Sequence, residues 1–328
     1  MTLDSGQVFH WQKIGDGFVG TMGERAIYVE QFRDVLKVRG GDAPTGPPRG
    51  PLPGIIAHYF ALDHPLAALC ASFPNDPAMN AARHFCRGLR IIRQPKWECL
   101  ATFICSSMKQ VAHIRQISKA LRERFGVPRK VDHHLAHTFP FARRVAESSE
   151  SELQKCALGY RAKNLLETAR LVSSGEADLD AWSALSDAGL REKLCALPGV
   201  GAKIANCVML FAYERLRAFP IDVWIELVLR EKYFPRRKTT AQRLREFSET
   251  YFGEHGGYAQ QYLFHYARAT SRKSEAVRVS STTLRSARND KGKGRMSGNK
   301  NKKKIRTRSR SKRRSPAGGK VVSAPELR

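Results

Sequence analysis

The chain has 328 residues, of which 57 are Lys or Arg and 30 are Asp or Glu, and its formal net charge is +27. This excess of positive charge favours a polyanionic partner, most simply nucleic acid. No apolar stretch approaches the roughly 20 residues that span a bilayer, and the N-terminus has no hydrophobic signal segment. The composition therefore argues against membrane-spanning and exported proteins, and we expect an intracellular one.

Residues 1–39 contain four short segments rich in β-branched and aromatic residues and separated by Gly and Asp: GQVFHWQ, GFVGTM, RAIYVEQ and DVLKVRG. This pattern predicts strands of an antiparallel meander. Residues 40–54 follow with a Pro and Gly density that excludes regular structure and predicts a linker. We therefore assign a small antiparallel β domain to residues 1–52.

From residue 55 onward the apolar residues recur at spacings of three and four, which predicts helices. We assign an all-α domain to residues 53–270, so the fold class is α+β. Within it, the HHLAH segment (His133, His134 and His137) is predicted to be a polar loop before a helix, because a zinc site would need a further ligand. Residues 271–328 carry 20 Lys and Arg against three Asp and Glu. We expect this tail to be disordered and to bind nucleic acid without sequence preference.

The segment LPGVGAKIANC, residues 197–207, places two glycines between two predicted helices. Gly199 and Gly201 allow a tight hairpin, and they leave the first amides of the second helix exposed to an anion such as phosphate. An ordinary connecting turn is the alternative. Lys203 lies in the first turn, where the helix dipole opposes a positive charge. That position favours a neutral amine nucleophile over a surface lysine, and Cys207 follows on the same face.

Asp222 stands in the segment FPIDVWI, directly before an apolar run with helical spacing. A carboxylate at that point is typical of a helix N-cap. It could also steer protons or stabilise a developing cation near the amine of Lys203. The two roles are compatible, and the sequence leaves both open.

Together, LPGVGAKIANC and FPIDVWI resemble the helix-hairpin-helix plus Gly/Pro-Asp signature of base-excision DNA glycosylases. LDSGQVFHW, RQPKWECLATFICSS, GYRAKNLLETAR and GYAQQYLF resemble the 8-oxoguanine DNA glycosylase family in particular, and the resemblance covers about residues 3–268. No cysteine follows Cys207, which excludes the iron–sulfur loop of the endonuclease III-like and adenine glycosylase branches. The 3-methyladenine branch typically lacks the lysine after the hairpin.

The resemblance implies an enzyme that flips a damaged base out of the duplex and excises it. Lys203 would attack C1′ and form a Schiff base that permits β-elimination, and Asp222 would assist it. Four residues would form the base pocket: Gly6, Cys207, Gln260 and Phe264. Seven would contact DNA: Met108, His113, Tyr160, Arg161, Gly199, Gly201 and Trp224.

Each pocket residue has an implied task. The main-chain carbonyl of Gly6 would accept from the N7–H that only the oxidised guanine carries. Phe264 and Cys207 would pack on opposite faces of the base, although core packing is the alternative for Phe264. Gln260 offers a donor and an acceptor to the Watson–Crick edge.

The duplex contacts follow the family less closely. Tyr160 and Arg161 would wedge the gap and contact the orphaned opposite base. Met108 and His113 stand where the family usually has an asparagine and an arginine for that base, so we expect relaxed opposite-base preference. Trp224 stands where a histidine commonly contacts phosphate, and its indole N–H could substitute as the donor.

We expect no metal and no cofactor, and a structural monovalent cation at the hairpin stays open. The expected partner is damaged double-stranded DNA, bound by a monomer that resides with DNA in a bacterial cytoplasm or nucleoid, or in a nucleus. Two alternatives remain: a glycosylase of the same fold acting on another damaged purine, and a noncatalytic helix-hairpin-helix DNA-binding protein.

Overall fold

The computed structural model describes residues 1–41, 51–107 and 109–271. Most of the predicted linker, Met108 and nearly all of the basic tail lie outside the described residues. No helix within the described parts of the chain is long and apolar enough to cross a membrane.

The N-terminal part forms a four-stranded antiparallel sheet in the order β1-β2-β3-β4. The strands are β1 Gln12–Ile14, β2 Gly17–Met22, β3 Arg25–Phe32 and β4 Val35–Gly40. Val19 of β2 pairs with Tyr28 of β3, and Val29 of β3 pairs with Val38 of β4. The predicted meander is confirmed, and its last three strands fall where the sequence pattern put them.

The prediction of a first strand over GQVFHWQ is wrong for residues 6–11, which have no regular structure. Hydrogen bonds of the Gln7 side chain hold this segment in place of strand pairing. Its Nε2 donates to the carbonyl of Arg90 at 2.8 Å and to Oγ of Ser5 at 2.9 Å, and its Oε1 accepts from the N–H of Ile92 at 2.8 Å. The segment is apolar because it is buried, and composition alone cannot distinguish that case from a strand.

Thirteen α-helices and one hairpin follow within the described residues. The hairpin, β5 Pro128–Val131 and β6 His134–His137, separates the fifth and sixth helices. The helices are α1 Leu52–Tyr59, α2 Leu66–Ala71, α3 Pro77–Phe85, α4 Lys96–Cys105, α5 Val111–Phe125, α6 Ala142–Ala146, α7 Glu150–Gln154, α8 Arg161–Ser174, α9 Asp187–Cys195, α10 Ala202–Ala212, α11 Val223–Val228, α12 Ala241–Tyr251 and α13, residues 256–271.

The HHLAH segment was predicted to be a loop, and this is wrong because β6 occupies most of it. His134 pairs with Val131 across a turn in which Asp132 has φ 52°. Val131 is buried against Val19 and Ala26 of the sheet, so packing on the β domain selects the strand. In the described ranges, no three His, Cys, Asp or Glu side chains come together as a metal site would require.

Two helices buried on nearly all sides, α4 and α10, form the centre of the helical domain. Glu98–Cys105 of α4 and Ile204–Phe211 of α10 are buried throughout. Phe103 stacks on Phe211 across the two helices, with ring centroids 5.6 Å apart and planes at 10°. The position of anything attached to the start of α10 is therefore fixed by this packing.

A buried charge network joins the sheet to the helical domain. Arg122 of α5 donates to Glu98 of α4, to Oγ1 of Thr21 at 2.8 Å and to the carbonyl of His137 at 3.0 Å. Nε2 of His10 lies 2.9 Å from the carbonyl of Thr21. Burial raises the pKa of Glu98 and lowers those of Arg122 and His10, although the Glu98–Arg122 pairing opposes the first two shifts.

Replacing Arg122 with Met should destabilise the protein by about 3–5 kcal/mol, because Glu98 would stay buried without its counter-charge. The double variant Arg122→Met with Glu98→Gln should recover much of that loss, since the remaining amide is neutral. Urea unfolding of wild type, the single variant and the double variant measures both effects. A single variant as stable as wild type would show that the pair does not hold the two parts together.

Candidate active site

The segment 197–201 forms a tight hairpin between α9 and α10. The N–H of Val200 donates to the carbonyl of Leu197 at 3.1 Å, and Gly199 has φ 76°. Two side chains of helix α8 contact this turn. Oγ1 of Thr168 donates to the carbonyl of Pro198 at 3.3 Å, and a Cβ on Gly199 would lie 2.5 Å from Nδ2 of Asn164. A glycine is required at 199 for both its φ and its space.

The first turn of α10 presents backbone N–H groups without a side-chain cap. Gly201 is the N-cap residue, with φ −99°, and a Cβ there would meet no atom within 4 Å. The first N–H groups of an α-helix have no intrahelical acceptor, and they carry the positive end of the helix dipole. This open surface can accept an anion, as the sequence predicts for Gly201.

Lys203 lies in that first turn, with its side chain partly buried. Its Nζ is 5.4 Å from the ring centroid of Phe103 on α4. The positive charge of Lys203 acts on two neighbours, Cys207 and Asp222, where it opposes the larger effect of burial on the pKa of each group. The structure thus brings together the lysine, the cysteine and the aspartate that the sequence singles out.

Asp222 is the N-cap of α11. Its Oδ1 accepts a hydrogen bond from the N–H of Ile225 at 2.9 Å. Burial raises the pKa of this carboxyl, and the hydrogen bond from Ile225 and the charge of Lys203 act in the opposite direction. The capping role is confirmed, and the same carboxyl interacts with the amine.

Cys207, one turn after Lys203, is 4% exposed. Burial raises the pKa of its thiol to about 11, despite the nearby lysine. The thiol is therefore neutral at physiological pH and is a poor nucleophile. Its available role is that of a contact surface beside the amine.

Gln260 and Phe264 lie on one face of α13. Nε2 of Gln260 donates to the carbonyl of Pro220 at 3.0 Å, two residues before Asp222, so α13 is tied to the start of α11. Oε1 of Gln260 is buried and accepts no hydrogen bond from the described residues. Phe264 meets Gly6, where an added Cβ would lie 3.0 Å from Cε1 of the ring. The structure brings Gly6 and Phe264 together as predicted.

The position of Gly6 depends on residues that sequence reasoning missed. Gly6 has φ 94° and lies between Ser5 and Gln7, which are both fully buried. Nε2 of Gln94 donates to the carbonyl of Gln7 at 2.9 Å. A glutamine next to a glycine inside an apolar segment is the signal that could have indicated this network, because a buried amide requires partners.

Four further residues within the described ranges were predicted to contact DNA, and one of them is held differently from the prediction. Tyr160 is 63% exposed at the start of α8, and His113 is exposed in the first turn of α5. Trp224 is partly buried in α11. Arg161 is buried, and its guanidinium donates to the carbonyls of Ser107 and Leu158. A contact between Arg161 and a base would require these hydrogen bonds to be exchanged.

Two sequence families match consecutive parts of the chain. Residues 1–100 match the N-terminal domain of 8-oxoguanine DNA glycosylase, and this match extends past the boundary predicted at residue 52. Residues 101–253 match the HhH-GPD superfamily of base excision DNA repair proteins. The N-glycosylase/DNA lyase OGG1 of Arabidopsis thaliana is 29% identical over 284 residues, which cover 80% of this chain and 75% of that relative.

Solved structures agree with this result. The structure of MBOgg1 in complex with a low affinity DNA ligand is 31% identical with a TM-score of 0.76, and the match covers 82% of this chain and 91% of that one. The 8-oxoguanine glycosylase/lyase of Clostridium acetobutylicum, solved with double-stranded DNA containing cytosine opposite 8-oxoguanine, is 28% identical with a TM-score of 0.75. That match covers 82% of this chain and 90% of the clostridial one.

The fold and the hairpin therefore define a helix-hairpin-helix protein of base-excision DNA repair. The chain belongs to the 8-oxoguanine DNA glycosylase family of this superfamily. Its enzyme class is that of a bifunctional DNA glycosylase and DNA lyase, and the predicted recognition of the family is confirmed.

Replacing Gly199 with Ala should cost about 1–3 kcal/mol of stability, because the residue is strained at positive φ and its Cβ would collide with Asn164. Gly201→Ala is the matched variant, and it should stay within about 1 kcal/mol of wild type while weakening DNA binding, since its Cβ would stand where a phosphate approaches. Urea unfolding and titration with duplex DNA separate the two effects. Unchanged DNA affinity in Gly201→Ala would reject the hairpin as a phosphate site.

Proposed function

We propose that this enzyme excises 8-oxoguanine from duplex DNA and cleaves the strand through a Schiff base on Lys203. One observation carries the proposal: the side chains of Lys203, Cys207 and Asp222 interact at the starts of α10 and α11, and α13 is tied to the same place through Gln260 and Pro220. A nucleophile, a carboxylate and a pocket wall therefore meet at one place.

Lys203 supplies the nucleophile. Its neutral amine forms a bond to C1′ of the damaged nucleotide while the bond from C1′ to the base breaks, and the base leaves with a proton. The sugar ring then opens to an imine on Nζ, and loss of a proton from C2′ expels the 3′ phosphate by β-elimination. The positive end of the α10 dipole and the aromatic face of Phe103 surround this amine.

Asp222 supports both steps with its negative charge. In its ionised form it stabilises the positive charge that develops on the sugar as the base leaves, and it favours removal of a proton from the attacking amine. Its hydrogen bond from the N–H of Ile225 holds one oxygen in place for this task. Burial makes the charge more effective, because a low dielectric strengthens the interaction.

The pocket provides the recognition. The carbonyl of Gly6 accepts the N7–H of the lesion, and the unpaired Oε1 of Gln260 accepts a donor on the purine's Watson–Crick edge. Phe264 and the neutral thiol of Cys207 pack on the two faces of the base. A normal guanine offers no N7–H, so the Gly6 carbonyl would lose its partner.

Duplex DNA meets the remaining surface. The amides beside Gly199 and Gly201 bind a backbone phosphate, and the exposed ring of Tyr160 fills the gap left by the flipped base. Arg161 reaches the orphaned base after releasing Ser107, and Trp224 donates to phosphate. The basic tail, which lies outside the described residues, adds affinity that depends on salt. We propose that the enzyme acts as a monomer and needs no cofactor.

Borohydride should trap a covalent complex between the wild-type protein and a duplex that carries 8-oxoguanine opposite cytosine. Lys203→Gln should give none, and Asp222→Asn should lower the rate of trapping by about a hundredfold, because an amide caps α11 but carries no charge. Gel electrophoresis after reduction measures the adduct. Tight DNA binding by wild type with no adduct would point to another lesion or to a noncatalytic protein.

Excision should depend little on the base opposite the lesion. Met108 cannot donate or accept strongly at a base edge, and His113 replaces an arginine, so two of the residues that would favour cytosine are missing. Single-turnover rates opposite each of the four bases should agree within about tenfold, which is the effect of one hydrogen bond to a base. Met108→Asn is the matched variant and should raise the preference for cytosine. A wild-type preference well beyond tenfold would contradict this prediction.

A further inference from the structure

The stripe of α13 that carries the two pocket residues continues for one more turn. Gln260, Phe264 and Arg268 follow at intervals of four and therefore share one face of the helix. Arg268 is buried, with 6% of its surface exposed. An arginine is rarely buried unless its charge and its donors have a task there.

Arg268 contacts both the segment that contains Gly6 and the ring of Phe264. Its Nη2 donates to the carbonyl of Asp4 at 2.7 Å. Its guanidinium lies over the ring of Phe264, with Cζ 5.1 Å from the ring centroid. A Cβ on Gly6 would collide with Nη1 of Arg268 as well as with the ring. The guanidinium thus fills the space between the N-terminal segment and the aromatic wall of the pocket.

The N-terminal segment has other attachments, but they lead elsewhere. Gln7 connects it to Arg90 and Ile92, which precede α4, and a carboxylate oxygen of Asp4 accepts from Arg115 of α5 at 3.0 Å. The hydrogen bond from Arg268 to Asp4 joins the segment to α13, the helix that carries Gln260 and Phe264. The distance between the Gly6 carbonyl and the aromatic wall therefore depends on this arginine.

We propose that Arg268 is a positioning residue for lesion recognition, which holds the carbonyl of Gly6 beside the ring of Phe264, where it can accept from the edge of a base stacked on that ring. This inference rests on the proposed function, because it takes the face of α13 as the base pocket. Arg268 acts through Gly6 and Phe264 and makes no bond with the sugar. The planar guanidinium can stack on the ring and donate to a carbonyl at once, which an ammonium group cannot do in the same way.

Two activities of the full-length enzyme test this role. Excision of 8-oxoguanine needs the base pocket, whereas cleavage at a preformed abasic site needs Lys203 but no base. Arg268→Met keeps much of the side-chain volume and removes the donors and the charge. We expect it to lower the single-turnover excision rate by at least about tenfold more than the abasic-site cleavage rate, because small misplacements of a recognition group cost rates of that size.

Two further variants make the result specific. Arg268→Lys keeps the charge without the planar fork, and its excision rate should lie between those of wild type and Arg268→Met. Arg243→Met removes one exposed arginine of α12 and should change neither activity. Circular dichroism and thermal unfolding confirm that each variant is folded, and Arg268→Lys serves as the test if Arg268→Met does not fold.

A double-mutant cycle with Gly6→Ala tests whether Arg268 acts through Gly6. The alanine Cβ collides with the guanidinium in the presence of Arg268 but meets a flexible thioether in Arg268→Met. The double variant should therefore lose less excision activity than the sum of the two single losses predicts. Additive losses, or equal losses of excision and abasic-site cleavage in Arg268→Met, would overturn the proposal. A wild-type enzyme that cleaves abasic DNA but leaves 8-oxoguanine in place would instead refute the proposed lesion, and this inference with it.

Discussion

The fully bonded amide of Gln7 is the interaction on which the candidate site most depends. It makes three hydrogen bonds, to Ser5, Arg90 and Ile92, in a place where neither strand nor helix fixes the backbone. Because a buried amide left without partners costs about 1–3 kcal/mol or more, this arrangement is strongly favoured over alternatives. It lets an irregular segment of the β domain reach the helical domain and place Gly6 against α13. The candidate pocket is therefore formed by residues of both structural parts.

The two proposed catalytic side chains interact in opposite ways with the dipoles of their helices. Asp222 complements the positive start of α11 and stabilises the fold there, while Lys203 opposes the positive start of α10. The cost of the lysine is limited by the packing of α10 against α4, since apolar burial along Ile204–Phe211 fixes the helix whatever its first turn carries. The fold can therefore keep a lysine in the first turn of α10, close to the carboxylate of Asp222.

Much of this arrangement could be predicted from the sequence, and the failures have physical causes. Strands β2, β3 and β4, the hairpin at Gly199 and the cap at Asp222 depend on local chemistry, and local patterns indicate them. The predictions for residues 6–11 and for the HHLAH segment were wrong because contacts distant in sequence decide their structure. The inward guanidinium of Arg161 depends on the carbonyl of Ser107, which lies 54 residues away. Arg268 shares the spacing of Gln260 and Phe264, but spacing alone does not tell whether an arginine faces solvent or the pocket.

Helix α8 links two features that the sequence presents separately. It begins beside the exposed ring of Tyr160, and one and two turns later Asn164 and Thr168 support the hairpin at Pro198 and Gly199. With the proposed roles, α8 fixes the distance between the ring that fills the gap in the duplex and the hairpin that binds a backbone phosphate. One turn of an α-helix rises about 5.4 Å, and buried residues hold α8 in the helical domain. In the proposed complex, the DNA backbone must therefore match a distance that the protein sets and does not adjust.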